Sequence, residues 1–82
     1  MNGEQIRAAR SMLGLRVSDL AEAAGVSVPT VQRMDATKGP VAGRHGTVVA
    51  MREALEAQGI QFLHAGGFAG GPGVSLVRPK ED

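Results

Sequence analysis

Two residues in the middle of the chain, Gly25 and Pro29, exclude a single long helix there. The residues around them, from Asp19 to Met34, otherwise have the composition and spacing of helix. Within a helix, glycine costs about 1 kcal/mol and proline about 3 kcal/mol. Glycine instead suits the residue that follows a helix, and proline suits the first turn of the next one. The sequence therefore predicts two short helices joined by a tight turn.

Four short helices are predicted from the apolar spacing and from residues that favour helix ends. The expected N-caps are Asn2, Ser18, Ser27 and Thr47, and the expected glycines just after helices are Gly14, Gly25 and Gly59. Gln5 follows Asn2 by three residues, which places it to complete a capping box. Residues 1–59 are therefore expected to form a helical domain.

Residues 60–82 follow a different pattern from the helical part. The stretches GIQFLH and GVSLVR alternate apolar and polar residues with period two, and the glycine-rich stretch AGGFAGGPG separates them. This pattern predicts a β-hairpin with a long loop, followed by a short charged tail. The expected fold class is mainly α, with four helices and a C-terminal β-hairpin.

The composition excludes several classes of protein. The 82 residues include no cysteine, which excludes disulfides and thiolate metal sites and suits a cytoplasmic location. His45 and His64 are isolated in the sequence, so no metal site is expected. No nucleophile, base and orienting residue can be assembled, so we expect neither an enzyme nor a cofactor. Residues 57–77 form the longest uncharged stretch, but its glycine and polar residues exclude a membrane span, and no small-molecule ligand is evident.

The charges are unevenly distributed along the chain. Residues 5–52 contain seven basic and three acidic residues, a net charge of +4, whereas the rest of the chain carries −3. Such an excess of positive charge favours an anionic partner. The helical part of the chain is therefore expected to contact such an anionic partner.

The residues LRVSDLAEAAGVSVPTVQRMDATKG closely resemble the lambda-repressor/Cro-like (XRE) family of helix-turn-helix DNA-binding domains. The resemblance extends from Asn2 to about Leu55. The motif needs a small residue, a turn residue that tolerates positive φ, and apolar residues between its helices; these positions hold Ala21, Gly25, Val26 and Val31. The resemblance implies a four-helix lambda-repressor-like domain that binds double-stranded DNA. An ordinary αα-hairpin would use the same packing chemistry.

The resemblance implies that the helix beginning at Ser27 is the recognition helix, whose N-terminal half enters the major groove. Its base-facing positions are Val28, Pro29, Gln32 and Arg33. Arg33 would pair with guanine and Gln32 with adenine, while the two apolar residues would cover a thymine methyl group or have a purely structural role. The residues expected at phosphates are Ser27 and Thr30 in this helix, and Arg16, Lys38 and Arg44 in or beside the flanking loops.

The resemblance also implies an ion pair in the scaffold. Arg10 and Asp35 fall where many family members carry an arginine and an acid that link the first helix to the third. Members often continue into a fifth helix, whereas this chain is expected to end in a hairpin. The stretch ALEAQGIQFLHAGGFAGGPGVSLVR resembles the ending of some small bacterial regulators, including QseC-type controllers of integrative mobile elements.

The predicted hairpin suggests how the chain forms a homodimer. Ile60 and Phe62 on one strand, with Val74 and Leu76 on the other, offer more apolar surface than four short helices need to cover. A two-stranded hairpin also presents unpaired strand edges. A second copy would bury this surface, and a two-fold dimer would read an inverted repeat in DNA. The alternative is that the hairpin only covers its own core.

The expected function is sequence-specific regulation of transcription, as a repressor or dual regulator. The alternative is a protein-interaction module on the same scaffold, such as an antitoxin or antiactivator. The exposed basic and amide residues of the third helix favour the regulator, because a protein interface would more often carry aromatic anchors there.

Overall fold

The computed structural model describes residues 1–66 and 69–78 of the chain. They form, in order, α1 (Gly3–Leu13), α2 (Val17–Ala24), α3 (Val28–Asp35), α4 (His45–Glu56), β1 (Ile60–Leu63) and β2 (Gly73–Leu76). Strands β1 and β2 are antiparallel neighbours in a two-stranded sheet. The mainly helical class with a C-terminal hairpin is thus confirmed. Gly67 and Phe68 of the predicted hairpin loop and the predicted tail, residues 79–82, lie outside the described residues.

The helix ends predicted around α1, α2 and α3 are mostly confirmed. Asn2 and Gln5 form the capping box: each backbone N–H donates to the other's side-chain oxygen, at 2.9 and 2.8 Å. Gly25 follows α2 with φ 69°, a left-handed conformation in which glycine carries no Cβ penalty. Ser27 then caps α3, with Pro29 in its first turn. Two short helices joined by a tight turn are therefore present, as Gly25 and Pro29 predict.

Two predicted N-caps, Ser18 and Thr47, are wrong. Helix α2 begins at Val17, because the Asp19 carboxylate accepts the backbone N–H of Arg16 at 2.9 Å and so closes the first turn earlier. Helix α4 begins at His45, and the N–H groups of Thr47 and Val48 already donate to the Arg44 carbonyl. Both hydroxyl residues therefore lie inside the first turn and leave their side chains for other contacts.

The core lies between the four helices and the inner side of the hairpin. Each helix contributes two buried apolar residues and β1 contributes one: Ile6, Ala9, Leu20, Ala21, Val31, Met34, Met51, Leu55 and Ile60. Strand β2 packs against α1, and β1 packs against α4. Among the described residues, no helix has the length and the apolar character that a bilayer-spanning segment needs.

The hairpin turns its apolar residues toward the core of its own chain. Ile60 faces Leu76 and Phe62 faces Val74 across the sheet. Ile60 is only 4% exposed, and the other three are half-buried against the core. The assignment of Ile60 to a dimer surface is therefore wrong, because α4 and the rest of the core already cover its side chain. A contact with a second copy would have to use the strand edges and the ends of the hairpin.

Candidate nucleic-acid interface

Helices α2 and α3 are joined by three residues that bring both helix ends to the surface. The N–H of Val26 donates to the Ala21 carbonyl at 3.0 Å, which closes the end of α2, and the Val26 side chain packs against the core. The Ser27 hydroxyl accepts from the Thr30 N–H and lies 2.8 Å from the Thr30 hydroxyl. The start of α3 therefore presents two linked hydroxyl groups.

Helix α3 has a buried side and an exposed side. Val31 and Met34 are fully buried. The predicted base-facing residues, Val28, Pro29, Gln32 and Arg33, are all exposed. Among the described residues, the Gln32 amide and the Arg33 guanidinium have no side-chain hydrogen bond or ion pair, so both are available to a partner.

A cleft of about 240 Å³ lies between α3 and the start of α4. Its lining residues are Thr30, Arg33, Met34, Gly43, Arg44 and Thr47. Arg33 and Arg44 supply two cationic side chains, and none of these lining residues is acidic. The partial positive charge at the N-terminus of α4 adds to theirs. The cleft therefore suits an anion with several acceptor oxygens.

Two arginines of α1 bind Asp35, the last residue of α3. Arg10 Nε donates to Asp35 Oδ1 at 3.0 Å, and the two side chains are 25% and 13% exposed. Arg10 also donates to the Leu15 carbonyl at 3.1 Å. A guanidinium nitrogen of Arg7 donates to the backbone carbonyl of Asp35. The pair of Arg10 and Asp35 thus lies in the scaffold, away from the exposed side of α3.

Three of the predicted phosphate residues do not line this cleft: Arg16, Lys38 and Ser27, of which Ser27 contacts the lining residue Thr30. Arg16 Nη2 lies 3.2 Å from Asp19 Oδ1. The side-chain hydrogen bonds between the two residues lower the pKa of Asp19 and raise the pKa of Arg16. An anion would therefore compete with Asp19 for Arg16. Lys38 is exposed in the loop between α3 and α4 but does not line the cleft.

Two residues of this region were not singled out from the sequence. Thr47 lines the cleft, whereas the sequence predicted only a role as an N-cap for it. The composition gives Arg7 no role beyond its charge, although its spacing of three from Arg10 indicates that both lie on one side of α1. That spacing was the one signal available.

No protein-family model matches the chain, and neither a curated protein nor a solved structure matches it. Hydroxyl, amide and guanidinium groups on one exposed helix can reach both phosphates and the edges of bases. A flat protein interface would more often present aromatic anchors at its centre.

Proposed function

We propose that this protein is a sequence-specific DNA-binding regulator of transcription, and that α2, the turn and α3 form a lambda-repressor/Cro-like helix-turn-helix. One observation carries the proposal. The exposed side of α3 presents Gln32 and Arg33 next to a cleft that holds a second arginine, Arg44. Such a protein acts where it reaches the chromosome, which in a bacterium is the cytoplasm.

The exposed side of α3 supports direct reading of bases. An arginine donates two parallel hydrogen bonds to O6 and N7 of guanine, and a glutamine pairs with N6 and N7 of adenine. Arg33 and Gln32 have the groups for these contacts. Val28, 38% exposed, and Pro29 offer apolar surface that suits a thymine methyl group. A helix of eight residues fits within the major groove.

The groups around α3 support contacts to the DNA backbone. Ser27 and Thr30 stand at its N-terminus, and Arg44 and Thr47 stand across the cleft. A phosphate seated in the cleft would meet Arg44 and both threonines, which leaves the Arg33 guanidinium to the edge of a base. Lys38 and Arg16 would add contacts farther along the duplex. Because such contacts release counterions, affinity should fall roughly 10³–10⁵-fold between 50 and 200 mM salt if six to ten phosphates are neutralised.

The proposal includes a homodimer that reads an inverted repeat. Each half-site would receive one α3, and the half-sites would lie about 34 Å apart, one turn of DNA. A two-stranded sheet has outer edges whose backbone groups can pair with another chain. Val77, which follows β2, is 58% exposed. The edge of β2 and Val77 therefore form the surface proposed for the second copy.

The test selects duplexes from a randomised pool at 50 mM salt and measures their affinity by fluorescence anisotropy. Arg33→Ala should weaken binding to the selected duplex by about 1–3 kcal/mol and relax the base preference at one position of each half-site. Arg52→Ala is the matched control, because Arg52 is an exposed arginine of α4 outside the cleft. It should bind like the wild type.

Two results would contradict the proposal. One is a selection that enriches no sequence while the protein also fails to shift fragments from its own gene neighbourhood. The other is an Arg33→Ala variant that binds the selected duplex with the affinity and preference of the wild type.

A further inference from the structure

A second cleft, of about 210 Å³, lies on another part of the molecule. It is bounded by the start of α1, the loop between α3 and α4, helix α4 and the hairpin. It shares no lining residue with the cleft beside α3. A ligand bound in this second cleft would therefore not contact the residues that line the cleft beside α3.

The walls of this second cleft combine apolar surface with positive charge. Pro40, Phe62 and Leu63 supply apolar walls, while Arg52 and His64 supply nitrogen donors. None of the described residues that line the cleft is acidic. The cleft is thus amphipathic, with donors that favour an anion.

Arg52 and His64 have side-chain donors to spare for a ligand, and so does the Asn2 amide nitrogen, which makes no hydrogen bond among the described residues. The Gln5 amide, which also lines the cleft, is fully used: it accepts from Asn2 and donates to the Leu63 and Gly73 carbonyls. Arg52 lies over the Phe62 ring, 5.4 Å from its centroid, and uses only Nε, at 3.5 Å, on Glu56. Its two terminal nitrogens have no hydrogen bond among the described residues. These nitrogens match the two oxygens of a carboxylate.

We propose that this cleft binds a small aromatic monocarboxylate. The carboxylate lies on the terminal nitrogens of Arg52 with His64 beside it, and the ring lies against Phe62, Leu63 and Pro40. The volume fits one ring, because an apolar cavity of about 150 Å³ holds benzene. One arginine matches one negative charge better than the two charges of a phosphate monoester.

The test is a titration of the ¹⁵N-labelled full-length protein with benzoate, followed by amide chemical shifts. Benzoate should bind with a dissociation constant on the order of 1 mM, the range for ligands of about ten heavy atoms. The saturating shifts should centre on Asn2, Leu63 and His64. Benzyl alcohol, which keeps the ring, and inorganic phosphate, which keeps the charge, should each bind at least about tenfold more weakly.

Matched variants separate this site from the proposed function. Arg52→Gln should lower the affinity for benzoate about tenfold and leave the affinity for DNA unchanged. Arg33→Gln should lower the affinity for DNA and leave the affinity for benzoate unchanged. His64→Gln should weaken benzoate less than Arg52→Gln does. The proposal is overturned if benzoate causes no saturable shift up to 20 mM (about twenty times the expected constant), or if the shifts centre on the Arg33 cleft. It is equally overturned if Arg52→Gln binds benzoate like the wild type.

Discussion

Gln5 connects three parts of the molecule through one side chain. It is 7% exposed, and its oxygen accepts from the Asn2 N–H at 2.9 Å. Its nitrogen donates to the carbonyls of Leu63 and Gly73, both at 2.9 Å. The same amide thus caps α1 and fixes the loop end of the hairpin, where Leu63 pairs with Gly73. The sequence predicted the cap but not the anchor, because no local pattern reports a contact made 58 residues away.

Gln5→Glu should destabilise the protein by about 2–4 kcal/mol at pH 7. The change replaces the donating nitrogen with an oxygen that faces two carbonyl oxygens, and buried acceptors left unpaired cost about 1–3 kcal/mol each. Gln5→Met removes the same hydrogen bonds without adding charge and should cost less. Urea unfolding followed by circular dichroism measures both variants. A Gln5→Glu variant as stable as the wild type would mean that the amide does not hold the hairpin.

Asp35→Ala should lower stability by about 1–3 kcal/mol and weaken DNA binding mainly through unfolding. Removing one partner leaves Arg10 with an uncompensated, partly buried charge; the loss is smaller than for a fully buried pair because both side chains retain some exposure. Glu56→Ala breaks the far more exposed pair with Arg52 and serves as the control, with a much smaller expected change. Thermal unfolding and anisotropy measure the two effects. Full stability with lost binding would place Asp35 at the DNA surface.

The helices show which element boundaries a sequence can specify. Gly25 and Ser27 gave correct ends because left-handed φ and an N-cap hydroxyl are local requirements. The starts of α2 and α4 were misplaced because arginines stand at both N-cap positions. A cap contributes only about 1 kcal/mol, so other contacts can shift the boundary. Thr47 was consequently missed as a residue of the cleft.

The loop between α3 and α4 is held against the start of α1, and one of its contacts depends on pH. The Gly39 N–H donates to the Glu4 carboxylate at 2.9 Å, and this bond holds the pKa of Glu4 below its ordinary value of 4.5. The N–H of Gly3 also donates to the Gly39 carbonyl at 3.1 Å. These two hydrogen bonds fix Gly39 within the loop, and the same loop ends at Arg44, which lines the cleft.

Glu4 should stabilise this arrangement above pH 4.5 and stop doing so as the pH falls through its lower folded pKa. A carboxylate with a depressed pKa binds fewer protons when folded, so its contribution is present at high pH and is lost in acid. Glu4→Gln should remove this part of the pH dependence. Stability curves from pH 7 to pH 3, together with a carbon-detected titration of Glu4, measure it. A Glu4 that titrates at or above 4.5 would contradict the contact.

The hairpin sets the limit of what the sequence could say about assembly. Alternating apolar residues predicted two strands, and both are present. Alternation alone could not tell whether the apolar side faces its own core or a second copy, because both arrangements bury the same residues. In this chain, Ile60 is core, and the surface proposed for a partner is reduced to the β2 edge and Val77.

Val77→Glu should weaken the proposed dimer at least about tenfold, because two added charges would meet across the two-fold axis. The side chain is 58% exposed, so the fold should tolerate the change. Met12→Glu is the control, since Met12 is an exposed apolar residue of α1, 44% exposed. Sedimentation equilibrium at micromolar concentrations measures the association. A monomeric wild-type protein in that range would contradict the dimer.

If the exposed side of α3 contacts DNA, amide chemical-shift mapping of the protein with a selected duplex should locate the contact there. The largest changes should fall at residues 27–33 and 44–47, which form the start of α3 and the far side of its cleft. Gln61 and Ser75, on the hairpin, should change little. Large changes on the hairpin with α3 unaltered would contradict the account.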